Sequence, residues 1–363
     1  MTETEEDLRL LRDSVATLLD RAGGEKRARE ARGNRDGVNR AVWNELAEAG
    51  ILSVMTSEDA GGLGLGLQAG GIIAQEFGRT LAPDPFAPVV GLAAGLLERL
   101  APGHTLLDEI ISGNKIPAIA WEERKSADAP GNNQTTYDTG KLNGTKSWVA
   151  RAGGADVHLV IASSNTGTGL YLVNALADGI TTKAARQSDG SYLHEVTYVE
   201  TPAELIAEDE NVKNALDAAV NDATALAACE LLGVAGEALN LTIEFLKTRE
   251  QFGKPIGTFQ SLQHRAVDMH IAHEIADTGI KSSLAIMDAN SDPTIRAREA
   301  SRAKARAGEA ALKITREAIQ MHGAVGYTDE FDIGLYLNRA LTLSAWLGDA
   351  TFHRKRWLKL RGA

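Results

Sequence analysis

The hydrophobic positions change period twice along the chain. In the first stretch, residues 1 to about 115, Leu8, Leu10, Leu11, Val15, Leu18 and Leu19 recur near a helical period, as do Val42, Leu46, Ala47 and Ile51. Gly50 is placed to stop the second of these helices. The segment Gly61-Gly62-Leu63-Gly64-Leu65-Gly66 follows as a loop. It is glycine-rich, but no strand pattern precedes it and no Gly-Lys-Ser/Thr follows. A tight turn between helices is therefore favoured over a phosphate loop.

Between about Ile116 and Pro202 the period shortens. Val157-His158-Leu159-Val160-Ile161 and Leu170-Tyr171-Leu172-Val173 are short apolar runs bounded by Gly, Ser and Asn, the pattern of buried strands. Asn143-Gly144, between Lys141-Leu142 and Lys146-Ser147-Trp148-Val149, predicts a two-residue hairpin. Val196 and Tyr198 alternate with Glu195 and Thr197 as a further strand. From about Ala207 helices return. Leu226 through Leu246 is apolar nearly all round, which predicts a helix covered on several sides. Leu262 to Met287 and Arg296 to His322 give two more long helices, the second rich in Ala, Arg, Lys and Glu and expected to face solvent. The predicted fold is mainly α with an inserted β domain. It has an N-terminal helical domain (1–115), a small central β-barrel or sheet domain (116–207) and a C-terminal helical bundle (208–363).

Length and charge narrow the classes of function. A chain of 363 residues exceeds one compact core and suits two or three domains. A formal net charge of -11 and a pI near 5.3 argue against a nucleic-acid surface, which needs clustered Lys and Arg. The single cysteine, Cys229, allows no intramolecular disulfide. The acidic start Met1-Thr2-Glu3-Thr4-Glu5-Glu6-Asp7 lacks the basic and apolar regions of a secretory signal. No run of about 18 purely apolar residues predicts a membrane span. The expected compartment is the cytoplasm.

Two segments carry candidate chemistry. In Thr248-Arg249-Glu250-Gln251-Phe252-Gly253-Lys254-Pro255-Ile256-Gly257-Thr258-Phe259-Gln260, Pro255 and two glycines force a corner after a long helix. Thr258 is the predicted N-cap of the next helix. Arg249 offers a planar fork suited to phosphate, and Phe252 an aromatic face. On spacing alone, a helix–helix turn with a surface Arg and a core Phe is the simpler reading. The second segment is Gln320-Met321-His322-Gly323-Ala324-Val325-Gly326-Tyr327-Thr328, followed by Tyr336-Leu337-Asn338-Arg339. A lone His at a helix end is usually a hydrogen-bonded structural residue. No Cys or carboxylate cluster surrounds His322, so a metal site is rejected.

Together these segments resemble the acyl-CoA dehydrogenase family over nearly the whole chain. Trp43-Asn44-Glu45-Leu46, Gly61 to Gly64 and Glu76-Phe77-Gly78-Arg79 are similar to the family's first domain, and Lys146-Ser147-Trp148-Val149 to its flavin-facing central segment. The resemblance implies FAD as cofactor and an acyl-CoA substrate desaturated between its α and β carbons. It implies that Arg249 and Phe252 reach across a subunit interface to the pyrophosphate and adenine half of FAD, with Gln251, Phe259 and Gln260 as further contacts. Gln320 and Gly323 would border the same cofactor, and Trp148 would lie near the isoalloxazine. An oligomer and an electron-accepting flavoprotein partner follow from the same resemblance.

The chain departs from the family at the catalytic base. Counting back from Arg249 places one family carboxylate at Ala223; matching from Gly326 through Arg339 places the other at about Leu347. Neither side chain takes a proton. Asp222, Glu230 and Asp349 are the nearby acids. One helical step of about 100° turns Asp222 away from the expected position, and Glu230 is roughly two turns on. The family's Thr-Glu-Pro-type loop is replaced by Ala120-Trp121-Glu122-Glu123-Arg124-Lys125-Ser126. The expected protein is the base-less subunit of a heterotetrameric, steroid side-chain type acyl-CoA dehydrogenase, completing a homologous partner's flavin site. A self-sufficient homotetramer using Asp349 or Glu230, and a non-catalytic flavin-binding scaffold, are the alternatives.

Overall fold

The computed structural model describes residues 3–34, 37–124, 134–328 and 331–362. Lys125 and Ser126 lie outside the described residues. Eleven α-helices are described: α1 (Glu3–Arg21), α2 (Gly24–Ala31), α3 (Arg40–Glu48), α4 (Gly66–Arg79), α5 (Gly95–Leu100), α6 (Thr105–Ile111), α7 (Asn211–Thr248), α8 (Gln260–Ala289), α9 (Pro293–His322), α10 (Ile333–Ala345) and α11 (Ala350–Arg361). Eight strands lie between α6 and α7: β1 (Pro117–Ala120), β2 (Thr136–Asp138), β3 (Lys141–Ala150), β4 (Val157–Ser163), β5 (Thr168–Asn174), β6 (Ile180–Arg186), β7 (Tyr192–Pro202) and β8 (Glu204–Glu208). The helix–sheet–helix order expected from the hydrophobic period is what the chain adopts.

Contacts group the chain into two compact units. The first comprises Met1–Arg29, Leu67–Ala82 and Thr224–Ala363; the second comprises Glu30–Gly66 and Pro83–Ala223.

In the first unit, α4 and α7 cross at two glycines. A Cβ on Gly78 would meet the Glu230 carbonyl oxygen at 2.0 Å, and one on Gly233 would meet the Gln75 carbonyl oxygen at 1.9 Å. Only hydrogen at both positions lets the backbones approach this closely. The N-terminus of α4 is capped from α8, where Asp288 accepts from the amides of Leu67 and Gln68 at 2.8 and 3.0 Å. Helix α9 departs from its expected solvent-facing role. Its small residues, Ala300, Ala303, Ala307, Ala311 and Ala318 among them, form a buried face, and two of its charged residues, Glu299 and Lys304, are buried as well. In α7, an 18-residue window reaches a mean hydropathy of 1.4, long and apolar enough by composition to cross a membrane, but 72% of it is buried inside the protein.

In the second unit the strands form one sheet in the order β6-β7-β3-β2-β4-β5-β8, with β1 added parallel to β4. Leu142, Val149, Val160, Tyr171, Val196 and Tyr198 make its core. The hairpin expected at Asn143-Gly144 is displaced: both residues lie inside β3, and the turn is Thr139-Gly140, at φ 47° and 84°. Two consecutive residues at positive φ are what a tight hairpin turn requires, and glycine supplies the second without a steric cost. Gly144 serves instead at an irregularity in the β3–β7 pairing, where a Cβ would meet Thr135 at 2.6 Å. A second register shift in that pairing, between Lys146 and Val149, leaves Ser147 and Trp148 opposite Glu195. Before the sheet, Ala87–Ala94 winds as a π-helix, every residue buried but Pro88.

Candidate functional site

In the first unit the corner after α7 stands open. Its backbone is fixed locally: Arg249 donates its amide to the Phe245 carbonyl at 2.8 Å, and Ile256 donates back to the Arg249 carbonyl at 2.8 Å. A two-residue ladder pairs Glu250-Gln251 with Lys254-Pro255, turning through Phe252 at φ 55° and Gly253 at φ 77°. The expected core Phe is not one. Phe252 is 92% exposed, its ring meeting that of Phe259 edge to face at 6.0 Å, and Lys254 lies over that second ring at 4.4 Å. The Arg249 guanidinium is exposed and has no hydrogen-bond or ion-pair partner among the described residues. The expected N-cap is also corrected. Helix α8 starts at Gln260 after Phe259, with no side-chain cap, because the Thr258 hydroxyl donates instead to the Pro255 carbonyl at 2.8 Å.

The second segment ends α9. Gly323 takes φ 68°, its amide satisfying the carbonyls of Gln320 and Ile319, and Gln320 is exposed. His322 is structural: its Nδ1 donates to the Ala318 carbonyl at 2.8 Å, and its ring stacks on Phe245 at 4.3 Å. Tyr327 is 81% exposed. Among the described residues no group of three His, Cys, Asp or Glu side chains is arranged to hold a metal. A bare guanidinium, exposed aromatic rings and a glycine at a helix end form a donor set that fits a nucleotide's phosphate and ring.

The two positions where the sequence reading expects the family's base carry apolar side chains. Ala223 is buried in α7. Leu347 sits at φ 58° and Gly348 at φ 105° between α10 and α11. The nearby acids are all committed. Asp222 pairs with Arg99 at 2.6 Å. Glu230 accepts from Arg339 Nε at 2.8 Å and from its Nη2. Asp349 caps α11, accepting from the Phe352 amide at 2.7 Å. Sequence reasoning missed what holds the Leu347 segment. The buried Lys304 donates to the carbonyls of Trp346 at 2.7 Å and Gly348 at 2.8 Å, with Ser344 at 3.4 Å, and His353 Nε2 donates to that of Leu347 at 3.0 Å. Burial pushes the Lys304 ammonium down to about 7, against the pull of Asp349.

In the second unit, Trp148 projects from the β3 irregularity at φ 54° and is 44% exposed. The loop after β1 lies along it. The Glu122 carbonyl accepts from the Ser147 amide at 2.8 Å, and Glu123 accepts from the buried Lys146 at 2.7 Å. The Arg124 guanidinium lies 5.7 Å from the Trp148 ring centre and pairs with Glu195 at 3.2 Å. Burial works against the Glu123 charge, but Lys146 and the amides of Gln134 and Thr135 outweigh it and hold the carboxyl below its usual range. Glu122 has no such partners, and burial raises it to about 7. The Glu-Glu-Arg run was legible only as a departure from a family loop; its partners on β3 and β7 are not encoded by spacing.

The fold is that of the acyl-CoA dehydrogenases. The chain belongs to that family: residues 5–101 match the acyl-CoA dehydrogenase N-terminal domain and residues 214–359 the C-terminal domain. It is 28% identical over 336 residues to the acyl-CoA dehydrogenase IpdE2 of Mycobacterium tuberculosis, covering 92% of this chain and 91% of that one. Among solved structures, a Tcur3481–Tcur3483 steroid ACAD variant is 30% identical, with TM-score 0.87 over 99% of this chain and 98% of that chain. The ChsE4–ChsE5 complex of Mycobacterium tuberculosis is 25% identical, with TM-score 0.86 over 100% and 98%. The CarC subunit of the caffeyl-CoA reductase–Etf complex of Acetobacterium woodii is 27% identical over 317 residues, 80% of this chain and 82% of that one.

Proposed function

We propose that this chain is a subunit of an FAD-dependent acyl-CoA dehydrogenase and completes the flavin site of a homologous partner that carries the catalytic carboxylate. The observation behind this reading is the corner. An Arg and a Phe are held out on an ordered turn, exposed, and uncovered by their own chain among the described residues. Bound FAD would accept the hydride leaving the β carbon of an acyl-CoA. Arg249 would clamp the pyrophosphate and Phe252 would cover the adenine half, with Gln251, Phe259, Gln260, Gln320 and Gly323 around them. The partner would supply the base, because Ala223 and Leu347 stand at both family positions and Asp222, Glu230 and Asp349 are already engaged. The relatives named for a steroid enzyme and for a two-component complex support a heterotetramer and a steroid side-chain thioester. The Etf-complex relative supports an electron-accepting flavoprotein.

The test is co-expression with a homologous dehydrogenase bearing the missing carboxylate. A yellow complex that desaturates an acyl-CoA is expected, with the Arg249→Ala complex losing flavin. An active homotetramer of this chain alone would overturn the reading, as would full flavin occupancy in the Arg249→Ala complex.

A further inference from the structure

The chain treats its two flavin-facing elements in opposite ways. The corner of the first unit is bare. In the second unit, Trp148 is the only exposed aromatic ring among the described residues, and it is not bare. Three consecutive residues lace the loop after β1 onto the irregularity that carries it. Glu122 holds the Ser147 amide, Glu123 holds Lys146, and Arg124 reaches over the indole. Glu195 stands on β7 opposite Ser147 and Trp148, where its carboxylate pins the guanidinium. A strand irregularity of this kind re-aims a side chain out of the sheet. A cation over the ring face then takes the place where another flat ring would stack.

We propose that the Arg124–Glu195 pair closes this chain's own isoalloxazine position over Trp148, so that the chain lends its corner to a partner's flavin and holds none itself. The inference rests on the subunit reading given above and adds which flavin position is shut and by which residues. The Glu123–Lys146 pair is the anchor of the closure: it is buried, and Glu123 also accepts from Gln134 and Thr135, so the loop cannot lift without breaking a buried ion pair. Arg124 itself is largely exposed, so its removal leaves the fold intact.

The experiment compares the wild-type complex with Arg124→Ala and Glu195→Gln, each with and without Trp148→Phe. Two quantities are read: bound FAD per chain after titration with FAD, and acrylamide quenching of the fluorescence that Trp148→Phe removes. The wild type is expected to hold one flavin for every two chains. Arg124→Ala and Glu195→Gln should raise that ratio toward one per chain and make Trp148 more quenchable, with both effects gone in the Trp148→Phe background. A wild-type complex carrying one flavin per chain overturns the proposal, as do variants whose ratio and quenching both match the wild type. Failure of any complex to bind flavin would instead strike the subunit reading itself. In that case quenching alone still decides whether Arg124 covers the ring.

Discussion

Arg339 on α10 reaches Glu230 on α7 with Nε at 2.8 Å, and its Nη2 contacts the same carboxylate oxygen. Both side chains are nearly buried. A pair of this kind adds little over an apolar substitute, but breaking it strands a charge. It also counts against Glu230 as a base, since two guanidinium donors already occupy the carboxylate oxygen.

The first prediction follows from that pair. Arg339→Ala should destabilise the protein by about 3 kcal/mol, because the buried Glu230 loses both guanidinium hydrogen bonds. Urea unfolding followed by circular dichroism measures the loss. Replacing both partners together, Glu230→Leu with Arg339→Leu, should recover most of it. A double variant as unstable as the single one would show that the pair does more than neutralise itself.

The second prediction concerns the glycines where α4 crosses α7. Gly78→Ala and Gly233→Ala each place a methyl group within about 2 Å of a backbone carbonyl oxygen on the other helix. Backbone cannot rotate aside as a side chain does, so the helices must part. Each change should cost about 3 kcal/mol, at the upper end of overpacking effects. A shift in thermal midpoint of less than a degree for either variant would show that the crossing is looser than its geometry indicates.

The third prediction concerns the loop that holds Leu347. Lys304→Met removes the donor shared by the carbonyls of Ser344, Trp346 and Gly348. Buried acceptors without donors are expensive, and the loss should be about 3 kcal/mol. Hydrogen exchange provides the local readout. The amides of Trp346 through His353 should exchange faster in the variant while those of the sheet keep their protection. Equal protection in this loop would mean that His353 and the Asp349 cap suffice to hold it.

Much of the fold was legible in the chain, and each failure has its own physical cause. The change of period located the strands, and Pro and Gly marked the corner after α7 and the end of α9, where Arg249, Phe252, Gln320 and Gly323 lie. The hairpin lies elsewhere because Asn143-Gly144, the stronger local turn signal, is held inside β3 by cross-strand pairing, Asn143 with Thr136 of β2 and Gly144 with Tyr198 of β7. On spacing alone Phe252 reads as a core residue, because hydrophobicity says nothing about whether a covering surface belongs to the same chain; the family resemblance reads it instead as a cofactor contact. Lys304, the Lys146–Glu123 pair and Arg124 over Trp148 were missed for a further reason. Lys304 reaches carbonyls 40 or more residues away, and the loop after β1 meets partners more than twenty residues on. No periodicity reports on such distances.

The last prediction is a pH dependence in the second unit. His158 is buried, its Nε2 bonded to the Ala152 carbonyl at 3.4 Å and its Nδ1 to the Tyr198 hydroxyl at 3.0 Å. A carbonyl only accepts, so Nε2 carries the proton and Nδ1 accepts from Tyr198. The neutral ring is satisfied, and a second proton on Nδ1 would force the Tyr198 hydroxyl to give up its donated bond and accept instead. Burial accordingly lowers His158 from its ordinary 6.5 to about 4, the nearby His194 adding to the effect and the Ala152 bond opposing it. A depressed value means that the unfolded chain binds the proton more readily than the folded one. The contribution is therefore complete above about pH 6.5, declines as the pH falls toward 4, and is level below that. Its full size is about 3 kcal/mol. Glu123, held below its usual range, is still ionised through most of this window, so the decline is assigned by difference. His158→Gln keeps a neutral polar side chain that cannot titrate. Urea unfolding of wild type and variant between pH 7 and pH 4 should give curves whose separation shrinks by that amount as the pH falls. Parallel curves would place the titration elsewhere and the His158 proton within reach of an acceptor.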